Sequence, residues 1–249
     1  MTDTFAILTG ASRGLGAALA RGLLRPGTEL VTLARNTDPE LARLAREQGV
    51  TLKQVQVDLA DSQGGARAAA ELVIPRDAKR YVLINNAGTV HPVANTAALN
   101  DAAAIGQALA LNVTAVMLLT ARFLQAVDGL SAERRIINIS SGAGRNPTAG
   151  WGVYCATKAA VDMYSRVLKT EHGASGVRVV SLAPGIVDTG MQADIRSSDP
   201  QAFPGLTRFQ DFHATGKLSA PADVAANSLA YLDREDFGQT EIDDIRNYH

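Results

Sequence analysis

Cysteine is nearly absent from this chain. Of 249 residues only Cys155 is one. That excludes a disulfide framework and fits a reducing compartment such as the cytoplasm. Cys155 itself reads as a small buried residue. Charge of one sign is also missing: Lys and Arg total 24, Asp and Glu 25. No nucleic-acid or polybasic membrane partner is therefore expected. The four histidines (His91, His172, His213 and His249) are scattered without ligand spacing, so no bound metal is expected. No run approaches the roughly 18 apolar residues of a membrane span. The start, Met-Thr-Asp-Thr-Phe, has no basic leader. Neither repeats nor a linker divide the chain, and one domain over residues 1–249 is expected.

What is present is a large apolar fraction, 46%, in short runs. Apolar runs at 4–9, 29–34, 81–84, 134–139 and 177–182 read as buried parallel strands. Residues 51–57 alternate apolar and polar, which suits a strand at the sheet edge. A last short strand is expected near 240–245. Helices are expected between the strands, including a long apolar one over 101–127 and others over 153–172 and 220–232. Asp61 or Ser62 is a candidate cap for an Ala-rich helix ending near 72. The segment 190–219 is longer and less regular, and its aromatics suggest a lid. Alternation of this kind predicts an α/β fold: a single Rossmann-type doubly wound parallel sheet of about seven strands, with helices on both faces.

The first strand runs into Gly10-Ala11-Ser12-Arg13-Gly14-Leu15-Gly16 and then a helical segment. Glycines allow close backbone approach, and a helix N-terminus attracts a pyrophosphate. The spacing is G-x3-G-x-G, so a plain structural turn is the competing reading. The second strand ends at Arg35 and Asn36, with no acid before Asp38. A guanidinium there suits a ribose 2′-phosphate, and Arg13 is a second candidate for it. Two solvated surface arginines are the alternative. Asp58, followed by Leu59, ends the third strand, placed to accept from an adenine amino group. Asn85-Asn86-Ala87-Gly88 ends the fourth, where small residues suit close approach to a cofactor.

Ser140 and Ser141 end the fifth strand, and Tyr154 precedes Lys158 by four residues on a helix. Residues so spaced share one helical face. A cation beside a phenol is expected to lower its pKa, which makes Tyr154 a candidate proton donor. Asn112 sits among Leu109, Leu111, Val113 and Val116, and a polar group buried there needs a partner.

Taken in order, these motifs with Pro184-Gly185 resemble the short-chain dehydrogenases/reductases over nearly the whole chain. A narrower resemblance, to sepiapterin reductases and the related benzil reductases, rests on Trp151 to Met163, Leu33 to Asn36 and Asp188 to Gln192. The tail Asp243 to Tyr248 is closer to that of the benzil reductases. The resemblance implies an NADP(H)-dependent carbonyl reductase acting on a ketone, of vicinal dicarbonyl type. It implies that Asn112, Ser141, Tyr154 and Lys158 form the catalytic set, with Asn112 holding a water behind Lys158.

The glycine turn (Gly10, Ser12, Arg13, Gly14, Leu15, Gly16) is expected to bind the cofactor, with Arg35, Asn36, Asp58 and Leu59 at its adenosine end. Asn86, Ala87 and Gly88 are expected beside it. Tyr154, Lys158, Pro184, Gly185, Val187 and Thr189 are expected at its nicotinamide end. Ser141, Trp151, Tyr154 and Gly185 are expected at the substrate, with Asp243 as its anchor. A homodimer or homotetramer through the Asn112 and Tyr154 helices is also implied. A 3-oxoacyl or sugar-alcohol reductase is an alternative, as is a non-catalytic NADP-binding sensor or scaffold.

Overall fold

The computed structural model describes residues 2–61 and 63–248. The elements run β1 (Thr4–Thr9), α1 (Gly14–Gly22), β2 (Thr28–Ala34), α2 (Pro39–Glu47), β3 (Thr51–Gln56), α3 (Gly64–Glu71) and β4 (Arg80–Asn85). Then come α4 (Ala102–Leu109), α5 (Ala115–Val127), β5 (Glu133–Ile139), α6 (Gly152–His172) and β6 (Val177–Ala183). The chain closes with α7 (Gly190–Arg196), α8 (Leu206–Ala214), α9 (Pro221–Asp233) and β7 (Ile242–Asp244). All seven strands are parallel, in the order β3-β2-β1-β4-β5-β6-β7. The alternating β3 is an edge strand, as its pattern predicts.

Side chains alternate across each strand. In β1, Ala6 and Leu8 pack with α1, α2 and α9, through Leu19, Leu41 and Leu229. Phe5 and Ile7 pack on the other face, with Ala68 of α3, Leu119 and Phe123 of α5, and Leu168 of α6. This is why β1 is apolar at every position from Phe5 to Leu8, all fully buried.

The sheet is wound outward in both directions from β1 and β4. Ligand crevices open at such a reversal, at the carboxyl ends of the strands. Here the two strand ends are stitched together. The Thr9 hydroxyl accepts from the backbone N–H groups of Asn86 (3.0 Å) and Ala87 (2.9 Å). The Asn86 amide donates back to the Thr9 carbonyl at 3.0 Å.

Three expectations are corrected. The long helix over 101–127 is interrupted by a π-helical turn, Ala110–Thr114, that carries Asn112. Ala102–Val127 is also long and apolar enough to cross a bilayer, contrary to the sequence reading. In this fold Ala115, Leu119 and Phe123 on one side of it pack against the sheet. Finally, 190–219 is not irregular: it holds α7 and α8, which pack on each other. At α3 the Asp61 carboxylate accepts from Gln63 N–H and not from the helix itself. The other candidate cap, Ser62, lies outside the described residues.

Candidate active site

A cleft of about 940 Å³ runs along the carboxyl ends of the strands. Its floor at one end is the glycine turn. Gly10 and Gly14 have φ of 73° and 56°, where a side chain is strained. A Cβ on Gly16 would lie 2.0 Å from the Gly10 carbonyl oxygen, so the turn can close only around glycine. Ser12, Arg13 and Leu15 line the same wall, and Arg35, Asp58 and Leu59 continue it. Arg35 is exposed at the rim. Asp38 is not available to a ligand here: its carboxylate caps α2 through the N–H groups of Glu40 and Leu41 and pairs with Arg21. Asn36 is exposed and does not line the cleft, which corrects the expectation for it.

Ser141, Tyr154 and Lys158 also line the cleft, with Gly88 against Lys158; Pro184, Gly185 and Val187 line it too, while Ala87 and Thr189 lie against Gly10 and Gly14 of the glycine turn. Ser141 begins a tight turn and accepts from Ala143 N–H at 3.2 Å. Tyr154 and Lys158 are both buried, one turn apart on α6. Burial pushes the Tyr154 phenol up to about 12, with the Ser141 hydroxyl acting the other way. Burial also pulls the Lys158 ammonium down to about 8, with Asp162 acting the other way. The expectation that Lys158 lowers the Tyr154 pKa is therefore not met. Lys158 Nζ donates to the Ile139 carbonyl at 2.8 Å and sits 5.6 Å from the phenol ring centroid.

Asn112 is buried behind these groups and does not line the cleft. Its side chain grips Thr89 at both ends of the residue. It accepts from Thr89 N–H at 2.9 Å and donates to the Thr89 carbonyl at 2.8 Å. Its second amide hydrogen goes to Thr157 at 3.0 Å. The polar group that needed a partner has found three, and both amide hydrogens are spent on protein.

Trp151 packs against the segment that carries α7 and α8. It stacks on Phe203 at 4.9 Å and 12°, meets Phe209 at 5.2 Å, and stands edge-on to Tyr154 at 5.4 Å. Gly150 precedes it with φ of 85°, and a Cβ there would lie 2.4 Å from the Ala202 carbonyl. The loop after Ser141 thus lies directly against the α7–α8 segment.

The family model described as short chain dehydrogenase matches residues 4–200. The chain belongs to the short-chain dehydrogenases. It is 37% identical over 243 residues to a benzil reductase ((S)-benzoin forming) of Bacillus cereus, covering 96% of this chain and 97% of that protein. It is 40% identical over 248 residues to the sepiapterin reductase of Rattus norvegicus, covering 93% and 92%. Among solved structures, a short-chain dehydrogenase from Sphingobium yanoikuyae in complex with NADPH superposes with a TM-score of 0.74. That protein is 28% identical, with 97% of this chain and 87% of the other covered.

In this short-chain dehydrogenase Asp243 does not line the cleft. Its buried carboxylate accepts from Tyr231 (3.1 Å), Tyr248 (2.5 Å), Asn247 (3.0 Å) and Asp244 N–H (2.8 Å). An internal hydrogen-bond hub, not a substrate anchor, is what this geometry describes. Its neighbour Asp244 lines the cleft instead, paired with Arg246 at 2.6 Å. In a strand successive side chains face opposite ways, so a one-residue slip moves a carboxylate from cleft to core.

Sequence reasoning also missed Asp162 and Arg145. Asp162 is buried one turn beyond Lys158 and accepts from the hydroxyls of Ser140 and Ser181, both at 2.6 Å. Arg145 pairs with it at 3.2 Å and donates to the Asp243 carbonyl at 3.0 Å. Asp162 follows Lys158 by four residues, as Lys158 follows Tyr154, and that spacing was a signal for it. Nothing in the loop sequence marks Arg145.

Proposed function

We propose that this short-chain dehydrogenase reduces a vicinal dicarbonyl of benzil or sepiapterin type with NADPH. The observation that carries the reading is the aromatic wall of Trp151 and Phe209 beside Tyr154, with the buried Phe203 stacked behind Trp151. Flat conjugated dicarbonyls gain from offset or edge-on contact with such rings. The names of the Bacillus cereus and Rattus norvegicus relatives support the same substrate class.

The residues fit the cofactor. The cradle of Gly10, Gly14 and Gly16 leaves backbone open where side chains would fill it, at the N-terminus of α1. Arg35 at the rim, with Asp38 engaged elsewhere, suits a 2′-phosphate over two free ribose hydroxyls. NADPH, when bound, supplies the hydride.

Tyr154 delivers the proton to the carbonyl oxygen as charge builds on it. A phenol held near 12 keeps its proton until an alkoxide-like oxygen, which is more basic, is there to take it. Ser141 holds the carbonyl oxygen by a second hydrogen bond. Lys158, charged below about 8, holds positive potential behind the phenol. Asn112 positions Thr89 and Thr157 around these groups, and so keeps the wall of Gly88 in place.

A second copy of the chain is the partner we propose for α4 to α6. Leu109, Met117, Met163 and Val167 are exposed there, which is unusual for large apolar side chains on helices that carry the core. Gel filtration giving a monomer would remove this part of the reading.

The decisive experiment is NADPH oxidation with benzil, sepiapterin, methylglyoxal and an acetoacetyl thioester. The reading expects benzil and sepiapterin, the two substrates with a carbonyl joined to a ring, to turn over fastest. Preference for the thioester would overturn it in favour of a 3-oxoacyl reductase.

A further inference from the structure

At the opposite ends of the strands a second recess of about 460 Å³ opens beside the amino ends of β5 and β6. Lys79, Arg134, Arg135 and Arg178 line it, and Glu133 is the one carboxylate on its wall among the described residues. Such a concentration of cations stands out in a chain whose net charge is −1. With strands of seven residues, the recess lies roughly 20 Å from the cleft.

These guanidinium groups are fixed in place. Arg135 is only 5% exposed and donates through Nη1 to the carbonyls of Leu232 and Arg234. Arg80, beside it, holds Asp233 at 2.6 Å and the Leu232 carbonyl at 2.8 Å. Arg134 donates to the Ser175 carbonyl and Arg178 to that of Glu235. The end of α9 is thereby capped, which is a structural role. It does not account for the other nitrogens. The buried Nε–H groups of Arg80, Arg134 and Arg135 have no hydrogen-bond partner among the described residues.

A buried charged donor without an acceptor is costly and marks a missing acceptor. Glu133 approaches Arg135 Nε at 3.3 Å and Arg80 Nε at 3.5 Å, as ion pairs short of hydrogen-bond geometry. Its side chain is 57% exposed, so it is a weakly held counter-ion. Of the other acids nearby, Asp3 is taken by Lys79, Asp233 by Arg25 and Arg80, and Asp236 by Arg234. Burial first, then Arg80 and Arg178, push the Arg135 pKa down, and Glu133 acts the other way.

We propose that this recess binds a compact, multiply charged phosphate-type anion, held by Arg134, Arg135 and Arg178 in place of Glu133. Guanidinium forks match phosphate oxygens in pairs, and fixed forks lose little freedom on binding.

The test is calorimetric titration of inorganic pyrophosphate, at constant ionic strength, into protein saturated with NADP+ so that the main cleft is filled. Saturable one-to-one binding is expected. Arg134→Gln with Arg178→Gln should weaken it by about tenfold or more, and Glu133→Gln should tighten it. Because the variants lie at the amino ends of β5 and β6, away from the cleft, their effect locates the site whether or not the cofactor reading holds. ADP in a parallel titration separates a nucleotide site from a phosphate site. No saturable binding of pyrophosphate, unchanged binding by the double variant, or binding of ADP alone would each overturn the proposal. Should the double variant fail to fold, the Glu133→Gln response decides: tighter binding supports the site, and no change overturns it.

Discussion

Arg145 and Asp162 form an ion pair, Nε to Oδ2 at 3.2 Å, that ties the loop after Ser141 to the helix carrying Tyr154 and Lys158. Asp162 adds the hydroxyls of Ser140 and Ser181, so one carboxylate joins α6, β5 and β6. The two residues are not neighbours in sequence, yet the relative position of Ser141 and Tyr154 depends on them.

Breaking this pair from the buried side should be the more damaging. Asp162→Ala leaves a guanidinium and two buried hydroxyls without their acceptor. A loss of about 2–4 kcal/mol is expected, below the upper range for buried pairs because Arg145 is partly exposed. Arg145→Ala leaves Asp162 its two hydroxyl donors and should cost less. Urea unfolding of both variants measures the difference, and equal losses would contradict the account.

Carbonyl reduction should depend on the charge of Lys158. Its pKa is lowered to about 8, so the ammonium is charged below that pH and neutral above it. The value of kcat/KM for reduction is expected to be level on the acid side of 8 and to fall as pH rises through it. Tyr154, at about 12, stays protonated over this span. A profile level from pH 7 to pH 10 would show that the charge on Lys158 does not matter to the step.

Cofactor choice should rest on Arg35. Arg35→Ala is expected to weaken NADPH by roughly 1–3 kcal/mol, the scale of a hydrogen bond to a charged group, and to leave NADH nearly unchanged. Fluorescence titration of both nucleotides checks this. Equal weakening would mean that Arg35 serves the shape of the rim and not a phosphate.

Asp243 offers the converse test. Its carboxylate is spent on Tyr231, Tyr248 and Asn247. Asp243→Asn should lower stability by about 1–3 kcal/mol with little change in the KM for the carbonyl substrate. A large rise in KM with unchanged stability would restore it as a substrate anchor.

The order of strands and helices was legible in the sequence because buried parallel strands are short apolar runs punctuated by glycine. Even the edge position of β3 was written in the alternation of residues 51–57. The glycine turn and the Tyr154–Lys158 pair were legible for a local reason: each depends on spacing within one turn or one helix. That same locality determined Arg35 at a strand end and Asn112 as a polar group in an apolar helix.

The tertiary structure decided what depends on facing and depth. It assigned Asp243 to the core and Asp244 to the cleft, because one residue of strand register reverses a side chain. It raised the Tyr154 pKa where the neighbouring lysine alone suggested a fall, because burial outweighs a cation bonded elsewhere. It brought Arg145 to Asp162, Phe203 to Trp151, and four cations to the amino ends of β5 and β6. Those residues are distant along the chain, and only packing makes them neighbours.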